Sequence, residues 1–95
     1  MYLHQIPLET RPQGAGIVAS EGDMPFATAI TPGCTVTLRF REVRILVQVL
    51  ELEQDQFYVG QVIDFDGTLE PEIQGVNIGC YLRFREEHIF SCTMP

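Results

Sequence analysis

The sequence contains no lysine and no tryptophan, and six arginines face 13 aspartates and glutamates, a formal net charge of −7. A field of that sign repels polyanions, so general affinity for nucleic acid or for an anionic membrane surface is disfavoured. Every Lys/Arg-type cation is instead a planar guanidinium, the group that pairs two-point with carboxylates and stacks on aromatic rings. No apolar run approaches the roughly 20 residues of a membrane-spanning helix. The N-terminus has neither a basic start nor a continuous apolar segment, so the expected location is cytoplasmic. Paired thiols are missing too: Cys34, Cys80 and Cys92 are an odd number without a Cys-x-x-Cys motif. That count suits a reducing compartment better than a disulfide framework and gives no zinc knuckle. Calcium-loop, phosphate-loop and dinucleotide fingerprints are absent as well. No metal or cofactor is expected.

A chain of 95 residues is the length of one domain, and 45% hydrophobic residues is ordinary for a globular one. The 8 glycines and 6 prolines favour many turns over long helices. Residues 1–32 hold four of those prolines, Pro7, Pro12, Pro25 and Pro32, and read as a turn-rich arm with two short strand candidates, Gly16 to Ser20 and Phe26 to Ile30. Residues 33–95 read as the core. Cys34, Val36, Leu38 and Phe40 alternate with Thr35, Thr37, Arg39 and Arg41, the period-two signature of a half-buried strand. Arg44 to Leu52 and Gln56 to Phe65 then form a long hairpin across a short polar connection, with Phe57, Val59, Ile63 and Phe65 on one face of the second arm. The first arm is apolar on both faces and so belongs at the centre of a sheet. Gly60 marks a bend or bulge that lets the sheet curl. Asp66 to Gly75 is read as a polar acidic loop, and a last short strand spans His88 to Cys92. The fold class is all-β: a small curled antiparallel sheet or barrel of five to six strands with an N-terminal arm.

Two segments resemble each other. Gly33-Cys34 leads to Leu38-Arg39-Phe40-Arg41-Glu42, and Gly79-Cys80 leads to Leu82-Arg83-Phe84-Arg85-Glu86. Either the same patterning constraint acts on two strands, or the sheet is a pseudo-twofold built from two related halves. In both copies Cys, Leu and Phe point inward, so Cys34 and Cys80 are core thiols, and Phe40 and Phe84 are buried. Arg39, Arg41, Arg83 and Arg85, with Tyr81, then occupy the outer faces and are the candidate partner-binding residues. The competing reading has Glu42, Glu86 and Glu87 pairing those arginines on a solvated surface.

Catalytic sets do not form. His88 and Cys92 are four residues apart, about 13 Å along an extended strand. The carboxylates Glu51, Glu53 and Asp55, and Asp64, Asp66, Glu70 and Glu72, sit in expected loops as a solvated rim. The chain therefore reads as a non-enzyme.

The order of strands from Gly33, a long bent hairpin followed by a short closing pair, resembles small five-stranded barrels of the Src-homology-3-like or Tudor kind, a resemblance that carries fold and not function. Gly16-Ile17-Val18-Ala19-Ser20, followed by Pro32-Gly33 and a Val-x-Leu strand, resembles the layout of PilZ domains, six-stranded barrels that bind cyclic di-GMP. The ligand motifs of that family, an Arg-x-x-x-Arg pair and an Asp-x-Ser-x-x-Gly turn, do not occur: Arg11 has no partner four residues on and Ser20 lacks an Asp two before it. A PilZ-like reading thus implies no nucleotide binding of the usual kind. The expected function is a protein-interaction, accessory or inhibitor module that binds a larger protein through its arginine face or its arm. The different-class alternative is a small barrel that binds a ligand or nucleic acid, and homo-oligomerisation stays open.

Overall fold

The computed structural model of the chain describes residues 2–12, 18–19 and 30–93. Its strands are β1 (Leu3–His4), β2 (Val18–Ala19), β3 (Thr35–Phe40), β4 (Val43–Leu52), β5 (Phe57–Asp66), β6 (Glu72–Ile73), β7 (Val76–Asn77), β8 (Tyr81–Arg85) and β9 (Ser91–Thr93), with a single 3-10 turn at Glu86–His88 and no α-helix among the described residues. Seven strands form one sheet in the order β1-β8-β5-β4-β3-β9-β2, while β6 and β7 form a separate hairpin. The apolar character of β4 on both faces puts it at the middle of that order, as expected. The five inner strands are antiparallel to their neighbours, but β1 lies parallel to β8 and β2 parallel to β9. The all-β class holds and the sheet is mixed at its edges. This follows from connectivity, because both edge strands come from the arm and not from hairpins.

The sheet is open in hydrogen bonding, with no ladder joining β1 to β2 among the described residues. It is nevertheless curled. Four strand spacings separate β8 from β9, about 19 Å in a flat sheet. Only residues 86–90 connect them, three of which are in the 3-10 turn, a reach of about 16 Å. The curl encloses a core in which Cys34, Val36, Leu38, Ile45, Val47, Leu82, Phe84 and Ile89 are inaccessible or nearly so. Phe40 and Phe84 are both buried, as the alternation requires. Cys34 and Cys92 are buried, whereas Cys80 is only half-buried against the cluster.

The arm behaves as a strap. After β1 it crosses the seam of the curl, with the Glu9 amide donating to the Arg39 carbonyl (2.9 Å) and the Arg11 amide to the Glu87 carbonyl (2.8 Å). The guanidinium of Arg11, 14% exposed, donates to the carbonyls of Glu86 and Ile89 (2.7 and 2.8 Å) and pairs with the Glu86 carboxylate (3.2 Å). Of the two N-terminal strand expectations, the first is met by β2; the second lies outside the described residues except for Ile30, which is buried.

Two bulges set the shape of the central hairpin. On β4, Leu50 is the extra residue opposite Val59 and Gly60; on β5, Ile63 is the extra residue opposite Leu46 and Val47. The second bulge corrects the expected inner face of β5. Tyr58 and Val62 join the core with Gly60 between them, Phe57 lies on the other face beneath arginines, and Ile63 is exposed. The extra residue shifts the phase by one and brings Phe65 back against the core. The stretch expected as a loop from Asp66 to Gly75 contains β6, and Gln74-Gly75 (φ +52° and +82°) turns it into β7 so that Ile73 and Val76 are buried. Glu51, Asp64 and Asp66, expected in loops, are the outer ends of β4 and β5.

The resemblance between the two Gly-Cys segments has a structural counterpart. Thr31-Pro32-Gly33-Cys34 and Asn77-Ile78-Gly79-Cys80 are both turns with glycine third at φ +99° and +94°, closed by the Cys34 amide on the Thr31 carbonyl and the Cys80 amide on the Asn77 carbonyl. Gly33 then donates to the Val49 carbonyl and the Val49 amide to the Cys34 carbonyl. Likewise Gly79 donates to Val62 and the Val62 amide to Cys80. Val49 and Val62 each immediately precede a bulge. A local twofold between β4 and β5 therefore maps β3 on β8. Chain order runs opposite ways in the halves, β3 before β4 but β5 before β8, which a tandem duplication would not produce. The shared environment of the two strands accounts for the shared sequence.

Gly60 tests this geometry. A Cβ there would meet the Gln48 carbonyl oxygen at 2.7 Å and crowd Val47 Cγ1 more closely still, so Gly60→Ala is expected to destabilise the fold by about 1–3 kcal/mol in denaturant titration.

Candidate functional site

Strand alternation places Arg39, Arg83 and Arg85 on the outer face, but the protein uses them differently. In β8, Arg83 is half-buried: its Nε donates to Glu53 Oε1 at 2.8 Å, Nη2 lies 4.0 Å from Asp55, and the guanidinium stacks 4.0 Å from the Phe57 ring centroid. Arg85 covers the same ring at 5.0 Å and pairs with Glu87 at 3.4 Å. This group is a clamp between β8 and the β4–β5 turn. Its exposed pair contributes little, while the shielded Arg83–Glu53 contact carries more. Tyr81 is half-buried at the other end of β8, opposite Gln61 of β5 and beside Leu3 of β1.

The other arginines gather at the β3–β4 turn. Arg39 and Arg44 are directly opposite on adjacent strands, a like-charge pair that disfavours the ladder. Arg41 occupies the turn itself at φ +57°, where glycine or asparagine is cheaper. Arg44 has one exposed carboxylate neighbour, Asp66 at 3.5 Å. Arg39 and Arg41 rest over Phe90 (4.9 Å) and Phe40 (5.2 Å), and neither has a carboxylate within 4.0 Å among the described residues. With Glu42 and Val43 the three line a shallow depression of about 320 Å³. Of the glutamates expected to pair the outer arginines, Glu87 pairs Arg85, Glu86 pairs Arg11, and Glu42 makes no ion pair with them. Arg44 was absent from the expected site because it opens a strand of mainly apolar residues; the pairing register alone brings it beside Arg39.

Cys34 and Cys92 share a hydrogen bond in the core, and Thr31 Oγ1 lies 3.5 Å from Cys34 Sγ. Burial, then the neighbouring Cys34, pushes the Cys92 thiol up to about 11. A thiol so held protonated is a poor nucleophile. His88 is not placed to activate it: Nδ1 accepts the Arg85 amide at 3.0 Å, and burial lowers the imidazole below its ordinary value. Among the described residues no three of His, Cys, Asp or Glu gather as metal ligands, and no helix is long and apolar enough to cross a membrane.

No protein-family profile, no curated protein and no solved structure matches the chain.

The thiols give a check on the packing. Cys92 has a folded pKa raised above its unfolded one, so the native state holds the proton longer and stability falls as pH rises from about 9, the ordinary thiol value, towards about 11. Below that window, at pH 8, Cys34 and Cys92 are expected to resist Ellman's reagent in the native protein and to react at once in denaturant.

Proposed function

We propose that this chain is a non-enzymatic interaction module, built on a small barrel-like sheet of the Src-homology-3-like or Tudor kind, that docks on an acidic surface of a larger cytoplasmic protein. The fold part of the proposal draws support from the antiparallel run β9-β3-β4-β5-β8 and the curl it requires. The docking part rests on one observation: Arg39 and Arg41 carry no carboxylate partner among the described residues, in a chain whose acidic groups outnumber its basic ones 13 to 6. Ionic pairing was available and is used at Arg11, Arg44, Arg83 and Arg85. Holding Arg39 against Arg44 and Arg41 at positive φ costs stability, which binding of a carboxylate-bearing partner would offset. Arginine suits this role because guanidinium binds carboxylates two-point and is enriched at interface hot spots. Within the expected set of Arg39, Arg41, Tyr81, Arg83 and Arg85, the weight falls on the first two. Arg83 and Arg85 belong to the clamp on Phe57, and Tyr81 lies at the other end of β8.

The test is capture from host lysate with quantitative mass spectrometry, using the parent and Arg39→Ala/Arg41→Ala. The double variant is expected to keep its stability to within about 1 kcal/mol, since both sites are exposed, and to lose the partner. Recovery of the same partner at parental level would defeat the proposal.

A further inference from the structure

A second surface feature carries the opposite polarity. Beside the β4–β5 turn lies an open cleft of about 650 Å³, within the range of ligand sites. Tyr58 forms its floor. That side chain is 9% exposed, stacked on Phe84 at 5.7 Å between ring centroids, and its hydroxyl has no hydrogen-bond partner among the described residues. Since no fully buried side-chain oxygen lacks a partner, this hydroxyl reaches the surface, and the surface Tyr58 lines is the cleft. At the cleft surface the hydroxyl can accept an N–H from a ligand in exchange for one from water.

The surroundings say which ligand. Leu52, 56% exposed, supplies an aliphatic wall. Glu53, Glu86 and Glu87 stand on the rim, turned through Oε1 towards Arg83, Arg11 and Arg85 respectively. Arg85 is the cation of the lining, already facing Glu87 and Phe57. Burial, then the charge of Glu86, raises the Tyr58 phenol above its ordinary value.

We propose that this cleft binds a cationic side chain of a partner protein, an ammonium or guanidinium on an aliphatic stem, with the stem along Leu52, the Tyr58 hydroxyl oxygen accepting one N–H, and the head group among rim carboxylates that outnumber the one lining arginine three to one. This site is separate from the arginine end, and its ligand has the opposite charge, so either reading survives failure of the other.

The experiment is an NMR titration of the full chain with Nα-acetyl-arginine methylamide and Nα-acetyl-lysine methylamide, against the neutral arginine isostere Nα-acetyl-citrulline methylamide and the amine-free lysine analogue Nα-acetyl-norleucine methylamide. The cationic probes are expected to shift the Tyr58 ring and the Leu52 and Gln56 amides saturably, with the neutral probes bound at least about fivefold more weakly. Tyr58→Phe, which keeps the ring on Phe84, should weaken the cationic probes about fivefold, the size of one net hydrogen bond. Equal binding of citrulline and arginine probes, shifts that map away from the cleft, or parental affinity in Tyr58→Phe would each overturn the proposal. The arginine and lysine arms show which head group the cleft prefers.

Discussion

The rest of the molecule depends on how two glycine turns fasten to the central hairpin. Gly33 and Gly79 each hold a φ near +95° and each donate to a carbonyl, that of Val49 or Val62, whose own residue donates back to the following cysteine. These reciprocal bonds fix where β3 and β8 enter the sheet. The bulges at Leu50 and Ile63, one residue farther along, bend the hairpin at the same points. Anchor and bend together turn five antiparallel strands into a curled sheet, and the short link 86–90 can then bring β9 beside β3. Arg11 secures that link by donating to the carbonyls of Glu86 and Ile89.

The same constraint accounts for the repeated Leu-Arg-Phe-Arg-Glu. Leu38 and Leu82 must fill the core, Phe40 and Phe84 must follow in phase, and the outer positions face water beside a neighbouring strand. The first copy has two more residues between cysteine and leucine than the second. Two is one full period of a strand, so the inner face is preserved. Divergence begins where the environments part: after Arg41 the first copy turns into β4, and after Arg85 the second enters the 3-10 turn.

Alternation made β3, β8 and the central place of β4 legible from the sequence, because a period-two pattern is local. The inner face of β5 was not legible, since a bulge at Ile63 is decided by the partner strand and leaves no mark in the residues themselves. Charge pairing was hidden for the same reason. Arg83 finds Glu53 across 30 positions, and Arg11 finds Glu86 across 75. The candidate arginines were visible as a set; their division into a clamp on Phe57 and an exposed end at the β3–β4 turn follows from register. The cleft on Tyr58 was equally out of reach, as nothing in the sequence separates a tyrosine with a satisfied hydroxyl from one without.

Native-state hydrogen exchange followed by NMR tests the anchoring most directly. The account places the amides of Gly33, Val49, Val62 and Gly79 among the slowest in the protein, exchanging only through global unfolding and so with one common free energy. Fast exchange of the two glycine amides, at rates typical of exposed turns, while the Val49 and Val62 amides stay protected, would show that the turns are passengers of the hairpin and contradict the account.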